Sequence, residues 1–285
     1  MKKVIVSVAL TGTAGSKSQT PHIPISAEEI AADTVAVAKA GASMVHMHVH
    51  DEAGNPTMET RYFKEAFEAV KEAVDRAGVD VIVNLTTSGG SNDDFLRLEH
   101  LRQLRPEVCS YDVGTFNWAL GGVFENRPDF LVELGKVTQQ LDIKPEIEVF
   151  DAGMLGNAIA YTGYKVLKAP CHFQFVLGVL GAMDGSVENL EYLHRRLPAG
   201  STWSVTGIGR AHLPMLLTGL ALDCDGIRVG LEDNLYLSKG VKGTNVQLVE
   251  RAVAIARLAG REPATADEAR QMLGITRHAL AEYKG

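Results

Sequence analysis

Cysteine is scarce in this 285-residue chain: Cys109, Cys171 and Cys224 lie far apart and form no C-x-x-C pair. That spacing excludes a disulfide framework and a cysteine zinc site, and it fits a reducing cytoplasm. Dense basic stretches are missing too. With 28 Lys and Arg against 35 Asp and Glu, a formal charge of −7, nothing here could track a phosphate backbone, so nucleic acid is excluded as a partner. The longest apolar runs, such as 173–181, are interrupted by glycine and polar residues and fall short of the roughly 18–20 residues that span a bilayer. Met1-Lys2-Lys3 followed by apolar Val4 to Leu10 imitates a signal peptide, but the segment runs into Thr11-Gly12 without a small-x-small cleavage site and is expected to be a first buried strand. What remains is 46% hydrophobic, 22% charged and 6% aromatic, the usage of a soluble globular protein able to bury a large core.

Short β-rich apolar runs alternate with longer segments of helical period almost to the C-terminus. Strands are expected at 3–10, 43–50, 80–86, 108–114, 146–150, 171–177, 202–206 and 226–230, with helices between them. One helix opens at Ser26 with Glu29 three residues on, a capping-box spacing. Eight βα units in about 260 residues suit closure into a (β/α)8 barrel. The rival is a doubly wound open sheet. It is disfavoured because no G-x-G-x-x-G follows the first strand, where a nucleotide-binding open sheet would usually carry it. No linker or composition break divides the chain, so one domain is expected: a barrel over 1–260 and a helical tail over 261–285 packed on it. A short helix should begin at Thr265-Ala266-Asp267-Glu268, and a second is expected between Gly274 and Tyr283.

A βα barrel places its site at the C-terminal ends of the strands, so polar residues there are informative. Val45-His46-Met47-His48-Val49-His50-Asp51 is the most specific stretch, because alternate strand residues share a face and His46 and His48 would stand side by side. A lone histidine would be read as a hydrogen-bonded core residue; two at a strand end suit one metal ion. His50 lies further along the same face. Zinc bound by two histidines commonly takes a carboxylate next and keeps one position open. Strand eight supplies candidates in Gly226-Ile227-Arg228-Val229-Gly230-Leu231-Glu232-Asp233-Asn234, where Arg228, Gly230 and Glu232 share a face if the strand runs that far. The same stretch could be a solvated acidic loop with an ion pair. Thr86-Thr87-Ser88-Gly89-Gly90 ends strand three and could present O–H and N–H donors to an anion, though alone it is a weak signal. Ser110 and Asp112 alternate on strand four, and Glu146 and Glu148 on strand five; inward glutamates need partners, which a metal or Arg228 could supply. Gly207-Ile208-Gly209-Arg210 follows strand seven, where barrels often bind phosphate.

Taken together, H-x-H, T-T-S-G-G, D-V-G-T-F-N-W, P-E-I-E-V-F-D, G-I-G-R and R-V-G-L-E-D-N, in this order and spacing from about residue 3 to 260, resemble the beta-keto acid cleavage enzymes. The resemblance implies a zinc-dependent (β/α)8 barrel that condenses a β-keto acid with acetyl-CoA and releases acetoacetate and a new acyl-CoA, as an acyltransferase. It implies His46, His48 and Glu232 as zinc ligands, Asp233 as general base supported by Arg228, and Thr86, Gly89 and Ser110 around the substrate carboxylate. Glu148 joins the substrate-binding set, Arg210 is a candidate for a CoA phosphate, and a homotetramer is expected. Members that take an aminated substrate carry an acid in the loop after strand one, where this chain has Ala14; His50 replaces an arginine common in relatives. An uncharged or anionic β-keto acid is therefore expected, with Lys17 and His22 as tail contacts. Two other readings fit parts of the pattern. A metal-dependent hydrolase of the amidohydrolase kind also uses H-x-H, but needs more histidines on later strands, His172 being the candidate. A non-catalytic metal-bound ligand sensor would need no base at Asp233.

Overall fold

Eight parallel strands alternate with helices and close on themselves in the computed structural model, which describes residues 1–89 and 93–277. In chain order they are β1 (Lys3–Ala9), α1 (Ala27–Ala40), β2 (Met44–Met47), α2 (Thr60–Ala77), β3 (Ile82–Leu85), α3 (Asp94–Leu104), β4 (Val108–Asp112), α4 (Pro128–Leu141), β5 (Lys144–Val149), α5 (Ala152–Gly163), β6 (His172–Leu177), α6 (Val187–His194), β7 (Thr202–Gly207), α7 (His212–Ala221), β8 (Gly226–Val229), α8 (Asn245–Leu258) and α9 (Ala266–Leu273). β8 pairs with β7 and also with β1, Ile5 opposite Gly226 through Val8 opposite Val229. That last pairing excludes the open sheet and makes the fold the expected (β/α)8 barrel. No helix among the described residues is long and apolar enough to cross a membrane.

Strand alternation sorts the side chains. Val4, Val6 and Val8 face the helices and join the large apolar shell, while Ile5, Met44, Ile82 and Val108 face inward at the N-terminal end. The chain after α8 closes that end. Glu262–Pro263 adds a short strand beside β1, and Ala266, Ala269 and Leu273 of α9 pack on the four inward residues. Arg270 fixes the plug, reaching Glu107 at 2.6 Å and Asp80 at 2.6 Å just before β4 and β3. α9 starts at Thr265 with a capping box and stops at Gly274; the second helix expected to run on to Tyr283 falls largely outside the described residues. The capping box at Ser26 and Glu29 is present.

With the floor sealed by apolar residues, the inward positions above it are polar: Ser7, His46, Asn84, Ser110, Glu146, Glu148, Gln174, Ser204 and Arg228 are all buried. The expected strand 43–50 breaks in two. β2 ends at Met47, and Val49–His50 pairs antiparallel with Pro56–Thr57 in a separate hairpin.

Two buried histidines between the helices link the fold to pH. His100 stacks on Phe63, ring centroids 4.1 Å apart, with Nε2 2.9 Å from the Thr86 carbonyl, and His212 Nδ1 accepts from Arg251 at 3.0 Å. Burial pushes each imidazole down to about 4, with the Arg251 charge adding to the effect at His212. An unfolded histidine titrates near 6.5, so between pH 6.5 and 4 the unfolded chain binds more protons. The stability due to these neutral rings is complete above about pH 6.5 and is lost as pH falls toward 4. Urea denaturation should show stability dropping across that window by up to about 2.7 kcal/mol per pH unit for the pair, and His100→Gln/His212→Gln should flatten the slope.

Candidate active site

His46 and His48 stand at the C-terminal end of β2, both buried, with ring centroids 5.1 Å apart and edge to face. Glu232 reaches them from across the barrel: Oε2 lies 3.7 Å from His46 Nε2 and Oε1 3.5 Å from His48 Nε2. The route differs from the extended strand expected from the sequence. β8 stops at Val229, and Gly230 turns the chain with φ +138°, its Cα so close to the Ala9 carbonyl that a side chain would overlap it. Gly230 O accepts from Asp233 N at 3.2 Å and Asn234 N at 3.0 Å. This turn returns both Glu232 and Asp233 to the mouth. Gly12, after β1, lies against the Glu232 side chain with no room for a Cβ.

Arg228 organises the acids. Its Nε and Nη2 hold the two oxygens of Asp233 at 3.0 and 3.1 Å, Nη1 holds Glu148 at 2.8 Å, and Nη2 also reaches Glu232 at 3.1 Å. One guanidinium thus faces three carboxylates, which leaves local negative charge for a cation or protons to balance. Burial and the charge of Asp112 push Glu148 well up despite Arg228. Asp233 is raised by burial and by Glu232, against the pull of Arg228 and a 3.0 Å bond from Thr206 Oγ1. Burial opposes the charge on Glu232, yet His48, Arg228 and His46 outweigh it and hold this carboxyl low. His46 is pushed down to about 4, by burial first. The result is an ionised carboxylate beside a neutral imidazole.

Ligand atoms of His46, His48 and Glu232 lie within 4.8 Å of one another. Glu232 Oε2 is buried and has no hydrogen-bond partner among the described residues. Two imidazoles and one carboxylate with a free lone pair fit a zinc-class ion, with room toward the cavity for a further ligand.

A cavity of about 500 Å³ opens over this cluster, and Thr86, Gly89, Ser110, Glu148, Arg228, Glu232 and Asp233 all line it. Thr86 Oγ1 and the backbone of Ser88 bond each other, and Ser110 Oγ accepts from Thr87 N at 3.0 Å, so the strand-three loop is tied to β4. Gly89 has φ +127°, and a Cβ there would meet Thr13 at 2.7 Å and His48 Nδ1 at 3.0 Å. Gly90 of the same motif lies outside the described residues.

Five other residues singled out in the sequence lie outside the lining of this cavity. His50 belongs to the hairpin and borders a different cavity, with Lys17 and Tyr62. Lys17 pairs with Glu29 at 2.7 Å, and His22 is exposed; neither lines the main cavity. Arg210 is exposed in the turn Gly209–Ala211, beside the cavity-lining Ile208 and outside the lining itself. His172 sits at the first position of β6, the wrong end of the barrel for a metal site, where it contacts Thr202 at 2.9 Å and Glu146 at 3.7 Å. That removes the extra histidine a hydrolase of the amidohydrolase kind would need.

Sequence reasoning missed several residues. Asn84 donates to Glu146 at 2.6 Å and, with His172, supplies the partners that an inward glutamate requires. Thr206 was visible only as a strand residue, and Arg97, buried on α3, looked like any helical arginine. The period of β3 and β7 would have turned Asn84 and Thr206 inward; Arg97 carried no such signal.

A closed barrel with a His–x–His–carboxylate cluster and an arginine-held aspartate at the C-terminal mouth defines the class: a (β/α)8 protein with a candidate cation site. Within that class, the sequence profile of the beta-keto acid cleavage enzyme family matches residues 3–275, and the chain belongs to this family. It is 39% identical to the 3-keto-5-aminohexanoate cleavage enzyme of Fusobacterium nucleatum subsp. nucleatum, over 96% of this chain and 99% of that one. It is 35% identical to the 3-oxoadipate:acetyl-CoA acetyltransferase of Cupriavidus necator, over 95% and 94%. Among solved structures, ObcA in its binary complex with oxaloacetate superposes with a TM-score of 0.80 at 23% identity, covering 90% of this chain and 68% of ObcA; that likeness speaks to the fold.

Gly12→Ala tests the cation cluster. The added methyl displaces Glu232 and leaves the core untouched, so the thermal midpoint should stay within a few degrees while Zn2+ affinity, measured by competition with a chromophoric chelator, falls at least about tenfold.

Proposed function

We propose that this protein exchanges acyl groups between a β-keto acid and acetyl-CoA: R–CO–CH2–COO− and CH3–CO–SCoA give CH3–CO–CH2–COO− and R–CO–SCoA. The observation that carries the reading is Asp233, a buried carboxylate gripped at both oxygens by Arg228 and adjacent in sequence to a candidate metal ligand. Held by His46, His48 and Glu232, Zn2+ would supply Lewis-acid polarisation of the β-keto group and stabilise developing enolate charge.

The chain's own residues do the rest. Asp233 takes the acidic proton from the methylene between carbonyl and carboxylate, and its raised basicity suits that task. Arg228 fixes the orientation of Asp233 and offsets its charge once ionised. Thr86, Ser110 and the Gly89 backbone surround the substrate carboxylate, and Glu148, whose carboxyl is pushed toward the protonated form by burial, borders the same space. The carbanion attacks the acetyl thioester and expels CoA thiolate. The thiolate then adds to the original keto carbon, the C–C bond to the former methylene carbon breaks, and acetoacetate leaves with the electron pair and one proton. Arg210, exposed in the turn after β7, is the candidate for a CoA phosphate outside the cavity. Ala14 lines the cavity where an acid would be needed for an aminated chain, which favours an uncharged or anionic keto acid.

The test incubates the protein with acetyl-CoA and 3-oxohexanoate and follows butanoyl-CoA and acetoacetate by mass spectrometry. Exchange should require Zn2+, and Asp233→Asn should lower kcat about a thousandfold, within the usual range for loss of a general base. Because Asp233 is active only when ionised and burial raises its pKa, kcat/KM should fall on acidification at a pH above that of an ordinary aspartate, about 3.9. Bound zinc and ligand with no turnover, unchanged in Asp233→Asn, would instead indicate a ligand sensor.

A further inference from the structure

The half of the cavity away from the metal cluster is walled by two loops that are stitched together. After β4 comes the hairpin Phe116–Asn117 with Val123–Phe124; after β6 comes the segment 178–183. Ala119 N donates to Leu180 O at 3.2 Å, Met183 N to Phe150 O at 3.1 Å and Gly178 N to Met183 O at 2.9 Å. Gly181, at φ +111°, lies so close to the Asn117 carbonyl that no side chain fits. Phe116 anchors the wall, with ring centroids 4.9 Å from Trp118, 5.1 Å from Phe124 and 5.2 Å from Phe150. Trp118, Phe124, Phe150, Val179, Leu180 and Ile208 present this surface to the same cavity that holds His46, His48 and Glu232.

The arginine at the edge of the wall is already engaged by the protein's own acceptors. Arg97 lies over the Phe130 ring at 3.7 Å, and its three nitrogens donate to Thr87 O, Glu125 O and Asn126 Oδ1. Glu125 also borders the cavity, and its charge acts on Arg97. Among the described lining residues the other fixed cation is Arg228, bonded to three carboxylates. An anionic tail therefore meets no arginine nitrogen that is not already donating within the protein. A cationic tail finds Ala14 on one side, and on the other an acid already set beside an arginine.

We propose that the R group of the keto acid is an uncharged alkyl or aryl chain lying on this aromatic wall, a specificity that rests on the acyl-exchange reading above. The other apolar body that must enter is the pantetheine arm of acetyl-CoA, and the experiment separates the two. Steady-state kinetics at saturating acetyl-CoA are measured for 3-oxopentanoate, 3-oxohexanoate and 3-oxoheptanoate, together with 3-oxoadipate and 5-amino-3-oxohexanoate, in the wild type, Trp118→Ala and Leu180→Asp. Trp118 and Leu180 are 40% and 65% exposed, so both variants should fold, which circular dichroism checks.

In the wild type kcat/KM should rise about three- to fourfold per added methylene, and both charged acids should fall at least tenfold below 3-oxohexanoate. Both variants should flatten the chain-length slope and leave KM for acetyl-CoA unchanged. A flat wild-type series overturns the proposal, as does preference for a charged acid, with loss of a cationic preference in Glu125→Gln identifying the residue responsible; acyl exchange itself would survive. A raised KM for acetyl-CoA with an intact slope gives the wall to the pantetheine arm. No exchange with any acid removes the functional reading and this one with it.

Discussion

Everything at the mouth of this barrel depends on one fully buried guanidinium. Arg228 is placed inside the barrel by β8, and it allows Asp233, Glu148 and Glu232 to share a space that would otherwise force them apart or force protons onto them. A buried cation is costly unless every donor finds an acceptor of good geometry, and here each terminal nitrogen and Nε does. The guanidinium also differentiates the acids it holds. Asp233 is gripped at both oxygens, Glu148 at one, and Glu232 only at its edge, which leaves Oε2 directed at His46 with no other partner among the described residues. Identical functional groups acquire distinct proton affinities because they sit at different places around one charge.

The two ends of the barrel divide the work. At the N-terminal end, Ile5, Met44, Ile82 and Val108 are sealed by α9, and Arg270 ties that helix to the segments that launch β3 and β4. Above the seal, the inward residues are polar and several bond one another, as in the Asn84–Glu146 pair. Water is thus excluded from below by apolar packing, and the site opens only upward, toward the loops.

Much of this was legible in the sequence because strand periodicity is a local property. The alternation of short apolar strands with helical segments foretold the barrel, and H-x-H foretold the pairing of His46 with His48, since both follow from which face a strand residue takes. What was not legible depends on backbone turns or on contacts between distant segments. Gly230 looked like a strand glycine; its φ of +138° instead ends β8 and swings Glu232 and Asp233 inward. His50 obeyed the alternation on paper, but the chain had already left the barrel for a hairpin. Lys17 and His22 seemed close to the site because the loop that carries them follows β1, yet Lys17 is turned away by Glu29, a residue of α1. The aromatic wall is built from two loops after β4 and β6, and no single stretch announces it. Arg210 and Arg97 exchange expectations for a similar reason: the arginine in a familiar motif is exposed, and the one in an ordinary helix borders the cavity.

The loop after β1 joins two opposite demands within a few residues. Gly12 is pressed against Glu232 and accepts no side chain, whereas Ala14, two positions on, faces the cavity beside Thr13. The side chain at 14 can therefore vary the cavity wall, whereas any side chain at 12 displaces Glu232. Two neighbouring positions of one loop thus carry unequal freedom to change, one open to the cavity and one closed by contact.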